Sequence, residues 1–122
     1  MKRVALILTM VFCFSTTAHA GDPVAGEKVF KKCTACHVVD KDKNKTGPHL
    51  VGLLGRTAGS VDSFKKYSKA MKSSGIVWDE ETLDAYLRAP KKYVKGTRMA
   101  FAGLKKDADR ANVIAYMKTF SK

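Results

Sequence analysis

The sequence predicts an all-α fold, and three observations predict it. Apolar residues in the best-defined segments recur with helical spacing, several segments begin at good helix-capping residues, and no stretch of useful length alternates like a strand. The 122 residues, 45% of them apolar, suffice for one ordinary domain and are too few for two. No run of 18 uncharged apolar residues occurs, which argues against a membrane-spanning protein, and the apolar fraction argues against a disordered one.

The first twenty residues have the pattern of a secretory signal. Lys2 and Arg3 precede the apolar run Val4–Phe14, and a small-x-small sequence of the kind that signal peptidase cleaves follows it. The run is too short to cross the roughly 30 Å hydrocarbon core of a bilayer, so a membrane anchor is disfavoured. We expect residues 1–20 to be a cleaved signal peptide, residues 21–122 to form the mature domain, and the compartment to be a bacterial periplasm.

The first predicted helix begins just after this segment. Asp22 is a good N-cap and Pro23 suits the first helical position. We therefore expect a helix that runs from there into the cysteine pair beginning at Cys33. A long polar loop over residues 41–59 follows it.

Three further helical segments complete the predicted fold. Ser68 can cap a short turn that ends at Gly75, and Asp79 can cap a helix that Pro90 stops. The last helix begins near Asp107 and is expected to reach the C-terminus. Its apolar stripe consists of Val113, Tyr116, Met117 and Phe120.

The cysteines carry the most specific chemical signal. Signal cleavage would remove Cys13 and leave Cys33 and Cys36, in a Cys-Thr-Ala-Cys-His sequence that ends at His37. A disulfide between residues three apart would constrain the unfolded chain little, so three interpretations remain: a thioredoxin-like redox pair, half of a zinc site, or a c-type haem attachment. Zinc needs two further ligands, and the mature chain offers no other cysteine and only His49 besides His37; a thioredoxin-like pair needs a βαβ context that the sequence does not show. The histidine directly after the second cysteine favours haem attachment.

The geometry of that sequence suits a haem. Residues three apart on a helix share a face, so the two cysteines can reach the vinyl groups along one porphyrin edge, and His37 can occupy the fifth position of the iron. The mature chain has three methionines for the sixth position. Met117 falls in helical register and Met71 lies in a Lys/Ser-rich turn, so both are interpreted as packing residues. Met99 lies in an aperiodic, glycine-bracketed loop and is the predicted ligand.

Taken together, these motifs resemble a known family, the class I cytochromes c, and in particular the soluble bacterial cytochrome c2 group, which is close to mitochondrial cytochrome c. The resemblance covers essentially the whole mature chain. Its motifs stand in family order: Gly26 with Phe30, then 33–37, 46–56, 74–78, 90–93, 96–103 and 114–116. The resemblance implies the small class I fold, in which short helices pack around one covalently attached haem c.

The resemblance also implies roles for the residues around the haem. His37 and Met99 would be the axial iron ligands, and Pro48 matches a proline whose carbonyl binds the free nitrogen of the axial histidine. The resemblance places Arg56, Tyr67 and Trp78 near the haem propionates. It places Tyr86 and Thr97 beside the methionine.

The expected function is one-electron transport rather than catalysis. With His37 and Met99 both bound in each oxidation state, little has to move at each transfer. The alternative is a haem enzyme such as a peroxidase, which needs an open sixth position and a distal acid or base, and neither is visible in the sequence. Nucleic-acid binding, which a net charge of +12 could serve, is disfavoured because the protein is predicted to be exported.

The positive charge instead suggests docking to acidic faces of redox proteins. Expected partners are a quinol:cytochrome c oxidoreductase, a terminal oxidase, a photosynthetic reaction centre or a periplasmic dehydrogenase. The carrier is expected to be a monomer without stable membrane insertion. The resemblance places the exposed haem edge in a ring of basic residues, for which the candidates are Lys32, Lys45, Lys91, Lys92, Arg98, Lys105 and Lys106.

Overall fold

A computed structural model describes residue 10, residues 12–13 and residues 20–121, so the predicted signal peptide lies almost wholly outside the described residues. Within that part of the chain the fold is helical and contains no sheet, which confirms the all-α prediction. No helix there is long and apolar enough to cross a membrane. The helices are α1 (Pro23–Phe30), α2 (Lys69–Ser73), α3 (Glu80–Arg88), α4 (Pro90–Tyr93) and α5 (Asp107–Lys118).

Helix α1 begins as predicted and ends earlier than predicted. The Asp22 side chain accepts a hydrogen bond from the backbone N–H of Val24 at 2.9 Å, and Pro23 occupies the first turn. The helix ends at Phe30, and residues 31–36 form turns. The prediction that the helix continues into the cysteine pair is therefore wrong, because the chain there follows single-turn hydrogen bonds instead of a continuous helical ladder.

Helices α1 and α5 cross at a glycine. A Cβ atom at Gly26 would overlap the carbonyl oxygen of Asn112 and lie 2.9 Å from Cβ of Tyr116, so only glycine lets the two backbones approach this closely. The rings of Phe30 and Tyr116 pack beside the crossing, with centroids 5.3 Å apart. The Asn112 side chain also accepts a hydrogen bond from the backbone N–H of Asp22 at 2.9 Å, which attaches the start of α1 to α5.

The middle helices begin at the predicted caps. Ser68 Oγ accepts from the backbone N–H of Met71 at 3.0 Å, and Asp79 forms a reciprocal capping box with Thr82. Helix α3 ends at Arg88, before Pro90, as predicted. The sequence analysis did not predict α4, a short helix that Pro90 itself opens.

The last helix ends at Lys118, short of the predicted C-terminal end, and its apolar stripe faces the core. Val113 is 2% exposed and Met117 is 3% exposed. The core also draws on α1, α3 and the loops between helices, and its buried members include Phe30, Val39, Leu53, Trp78, Leu83, Tyr86, Val94 and Leu104. The core is not filled by protein alone, because its side chains surround a cavity.

Candidate functional site

A cavity of about 290 Å³ lies at the centre of the helices. Its wall is mainly apolar and includes residues to which the sequence analysis assigned no part in a site, such as Leu50, Leu53, Phe64, Leu83, Leu87, Phe101 and Leu104. These leucines and phenylalanines carry no chemical signal in the sequence, because they match ordinary core residues. The predicted site residues Cys33, Cys36, His37, Pro48, Arg56, Tyr67, Trp78, Tyr86, Thr97 and Met99 all line the same cavity.

The attachment segment, residues 33–37, folds as a single tight turn. The backbone N–H of His37 donates to the carbonyl of Cys33 at 2.9 Å, and that of Cys36 donates to the same carbonyl at 3.1 Å. Both cysteines are half-buried free thiols that line the cavity. Burial raises the pKa of Cys33, with the neighbouring Cys36 as a second cause. Two thiols and one imidazole are thus presented to one cavity by five consecutive residues.

His37 is oriented by the loop that follows. Its Nδ1 atom lies 2.7 Å from the carbonyl oxygen of Pro48, to which it can donate, as the family resemblance implies. Burial lowers the pKa of His37, although the bond to Pro48 works in the opposite direction. A neutral imidazole that donates from Nδ1 leaves the Nε2 lone pair free, which is the form that binds a metal. A Cβ atom at Gly47 would overlap the His37 ring, so the loop can pass the ring this closely only with glycine.

Met99 lies in the methionine loop, residues 96–103, and is held from α3. The Tyr86 hydroxyl lies 2.9 Å from Oγ1 of Thr97 and 3.8 Å from the sulfur of Met99, within reach of a weak O–H···S hydrogen bond. The backbone N–H of Met99 donates to Oγ1 of Thr97 at 3.3 Å. Burial raises the pKa of Tyr86, so the phenol stays protonated and able to donate.

Two other methionines also reach the cavity. Met117 belongs to the buried stripe of α5, which confirms its interpretation as a core residue, and Met71 is half-buried in α2. Both nevertheless line the cavity together with Met99. Met99 is distinguished from them by its place in a loop and by the Tyr86 and Thr97 hydroxyls beside its sulfur and backbone.

A half-buried cation lines another part of the wall. The guanidinium of Arg56 donates to the carbonyl oxygens of His49 at 2.9 Å and Val51 at 3.4 Å. Burial lowers the pKa of Arg56, and none of the ion pairs formed within the described residues includes it. Tyr67 and Trp78 line the cavity with it. Because its hydrogen-bond partners are neutral carbonyl oxygens, the guanidinium keeps its positive charge and can bind a carboxylate of a bound molecule.

The residues present fit a covalently attached haem. Thiols can bond to the vinyl groups, the free imidazole nitrogen and the thioether can ligate iron, Arg56 can bind a propionate, and the apolar wall suits the porphyrin faces. The fold and this site define a c-type haem protein with short helices around its cofactor.

Comparison with known proteins agrees with this class. The sequence profile of the family described as cytochrome c matches residues 23–121. The chain therefore belongs to the cytochrome c family, whose members are electron carriers with one covalently bound c-type haem.

Similar proteins occur in bacteria and eukaryotes. Cytochrome c2 of Rhodoblastus acidophilus is 51% identical over 83% of this chain and 94% of its own length. Cytochrome c2 of Rhodomicrobium vannielii is 47% identical over 96% of this chain and 94% of its own length. Cytochrome c 2.1 of Caenorhabditis elegans is 53% identical over 84% of this chain and 92% of its own length. The solved structure of cytochrome cH from Methylobacterium extorquens has a TM-score of 0.77 at 43% identity, covering 81% of this chain and 99% of that chain.

The seven predicted docking residues are all exposed. Lys32 and Arg98 line the mouth of the cavity, as does Lys66, which the sequence analysis did not select. Nζ of Lys45 donates to the carbonyl of Thr34 at 2.5 Å, and Nη1 of Arg98 donates to the carbonyl of Lys66 at 3.2 Å. Their partners are neutral, so both side chains keep their net charge.

Proposed function

We propose that this protein is a diffusible periplasmic one-electron carrier in which His37 and Met99 are the axial ligands of the haem iron. The observation that carries the proposal is the convergence of the attachment segment and the methionine loop on one cavity, together with the Arg56 guanidinium. When bound, the haem would supply a one-electron redox couple, since its iron can take one electron from a donor and pass it to an acceptor. The protein's contribution is to keep both ligands in place.

The two ligand side chains are restrained before any electron moves. The hydrogen bond to Pro48 fixes the rotation of the His37 ring, and the Tyr86 and Thr97 hydroxyls fix the sulfur and backbone of Met99. Restrained ligands reorganise little between oxidation states, which favours fast transfer in both directions. The same restraint keeps small molecules out of the sixth position, so it opposes peroxidase chemistry.

Export to the periplasm is the second part of the proposal, with residues 1–20 as a cleaved signal peptide and residues 21–122 as the mature domain. The match to cytochrome c2 of Rhodomicrobium vannielii supports it, because 96% coverage of this chain must include most of residues 1–20. The match to the Rhodoblastus acidophilus protein covers only 83%. The mass of protein recovered from a periplasmic fraction should correspond to a chain that starts at Gly21 and carries one covalently attached haem. An intact N-terminus in membranes would contradict the proposal.

Docking to acidic redox proteins is the third part. The candidate ring comprises Lys32, Lys45, Lys91, Lys92, Arg98, Lys105 and Lys106, all exposed, with Lys32 and Arg98 at the cavity mouth. Such charge raises the encounter rate without requiring tight binding, which suits a monomer that must leave after one electron. The partner classes proposed are a quinol:cytochrome c oxidoreductase as donor, and a terminal oxidase, reaction centre or periplasmic dehydrogenase as further redox partners.

The carrier function is tested in a stopped-flow instrument by mixing the reduced holoprotein with each candidate acceptor and the oxidised holoprotein with each candidate donor. One partner should oxidise or reduce it rapidly, with one electron per haem, and without consumption of peroxide. Steady-state oxidation of small phenols by peroxide at enzymatic rates, with no transfer to any partner, would contradict the carrier proposal and favour the peroxidase.

A further inference from the structure

The most deeply buried charge in the described part of the chain lies outside the cavity. Arg110, in α5, is 1% exposed and does not line the cavity wall. Its Nε donates to Oδ1 of Asp84 at 2.7 Å, and its remaining nitrogens donate to the carbonyls of Leu104 at 2.8 Å and Lys105 at 3.0 Å and to the carboxylate of Asp107. A guanidinium is buried to this degree only when its donors are satisfied.

Two of these acceptors belong to the segment that directly follows the methionine loop. The carbonyls of Leu104 and Lys105 bind Arg110 on one side. On the other side, the backbone N–H of Leu104 donates to the carbonyl of Leu87 at 2.7 Å, and a Cβ atom at Gly103 would overlap the carbonyl of Arg88. The carboxyl end of the loop is therefore held between the end of α3 and the guanidinium.

The carboxylate of Asp84 connects Arg110 to α3, the helix that carries Tyr86. Asp84 lies in α3 two residues before Tyr86, whose hydroxyl contacts both Thr97 and the Met99 sulfur. Burial by itself lowers the pKa of Arg110, but the Asp84 and Asp107 carboxylates outweigh it and raise that pKa, so the cation persists. One charged side chain thus joins α3, α5 and the end of the methionine loop.

We propose that Arg110 is a positioning residue for Met99, holding the end of the methionine loop so that the thioether stays over the iron. The inference rests on the proposed ligation by Met99. A lysine at this position keeps the charge but has one nitrogen with three hydrogens, so it cannot bond the carbonyls of Leu104 and Lys105 and both carboxylates together. The loop end should then detach more often, and Met99 should leave the iron more readily.

The test is azide binding to the ferric holoprotein. Arg110→Lys should raise the azide affinity about tenfold or more, equivalent to losing one charge-assisted hydrogen bond. It should also weaken the red absorption band of methionine-ligated ferric haem. Asp84→Asn leaves the carbonyls of Leu104 and Lys105 bound to Arg110 and weakens the link to α3 together with the exposed Asp84–Arg88 pair within that helix, so a smaller rise is expected. This second variant also serves if Arg110→Lys matures poorly.

The control is Asn112→Ala, in the same helix, which breaks the hydrogen bond to the backbone of Asp22 and leaves the loop contacts intact. Unfolding free energies of all variants are measured so that variants of similar stability are compared. If neither Arg110→Lys nor Asp84→Asn raises azide affinity beyond that of Asn112→Ala, Arg110 is only a structural residue and the inference is overturned.

A double-mutant cycle separates this inference from the proposed function. In a Met99→Ala background, Arg110→Lys should have no further effect on azide affinity, because Arg110 acts through Met99. An equal effect in both backgrounds would overturn the positioning role while leaving the ligation intact. If Met99→Ala itself leaves azide affinity unchanged, the proposed ligation fails, and the inference that rests on it fails with it.

Discussion

The attachment segment and the methionine loop line the same cavity, but different kinds of element hold them. His37 is bonded to Cys33 four residues away and to Pro48 eleven residues away. The methionine loop is held instead by side chains of two separate helices: Tyr86 of α3 bonds to Thr97, and Arg110 of α5 bonds to Leu104, directly after the loop. Arg110 in turn bonds to Asp84 of α3, 26 residues away, and Arg98 in the loop bonds to Lys66, 32 residues away.

This difference indicates which of the two proposed ligands should leave the iron first when the fold loosens. The His37 side is built from nearly consecutive residues and gains two covalent bonds when haem attaches, so it should survive partial loosening of the fold. The methionine side loses its geometry as soon as α3, α5 and the loop separate, because no covalent bond replaces their packing. The sixth position should therefore open before the fifth.

The largest expected effect comes from breaking the attachment segment. Cys33→Ala or Cys36→Ala should sharply lower the yield of mature holoprotein, and His37→Ala should leave little, since these side chains bind the cofactor around which the core is built. The measurement is haem colour retained on the polypeptide through acid-acetone extraction and denaturing electrophoresis. His49→Ala is the matched control and should retain its haem. Haem that extracts freely from the unmodified protein would contradict covalent attachment.

Removing the other ligand should have a different result. Met99→Ala should keep its haem, admit azide or cyanide readily, and lower the potential by on the order of 0.1 V, since axial ligands set haem potentials over about 0.8 V. Met71→Ala and Met117→Ala are controls that also remove a thioether from the cavity wall. A potential that stays unchanged in Met99→Ala but falls in either control would identify a different methionine as the ligand.

Charge reversal at exposed lysines tests whether the surface near the methionine loop and the surface near the attachment segment both contribute to docking. We expect slower transfer to the true partner, by several-fold for each variant, when the charge of an exposed lysine is reversed. The variants are Lys91→Glu and Lys105→Glu, close to the methionine loop in sequence, and Lys32→Glu, beside the attachment segment. Electrostatic steering as a whole changes association rates by roughly 10- to 1000-fold. The wild-type rate should fall as salt rises, because the Debye length shrinks below about 8 Å above 0.15 M. Lys28→Glu on α1 is the control. Equal effects at all four positions would argue against a localised docking face.

The smallest expected effect concerns the start of α3, which carries Tyr86. Hydrogen bonds from Thr82 hold the pKa of Asp79 below its usual range. A folded-state pKa that is depressed contributes stability above the unfolded pKa, and that contribution is lost as pH falls through the folded value. Asp79→Ser keeps a cap without the charge, so its stability deficit in thermal unfolding should shrink as pH drops into the acidic range. A deficit independent of pH would show that the charge of Asp79 contributes nothing.

The helices were largely predictable because their signals are local. Asp22, Ser68 and Asp79 cap the helices that they were expected to cap, and Pro90 marks a real boundary. The predicted helix ends are wrong where the helix was extended beyond its last local signal. The first helix ends at Phe30, because the attachment segment needs a tight turn that a continuous helix does not provide.

The chemically distinctive residues of the site were also predictable, since thiols, imidazole and thioether are rare and their spacing is restrictive. The apolar wall and Arg110 were not. Leu53 and Leu104 match any core leucine, and an arginine in a helix sequence resembles a solvated surface charge. Their roles depend on partners such as Asp84 that lie far along the chain.

The sequence by itself determined the cofactor class, the candidate attachment residues, the order of the four longest helical segments and the family resemblance, because each of these depends on residue identity at short spacing. Tertiary structure alone decided that three methionines share one cavity and that a buried arginine bonds the segment directly after the methionine loop. These features arise when segments distant in sequence are brought together. Their free energies come from packing and from satisfied buried charge, neither of which any local pattern records.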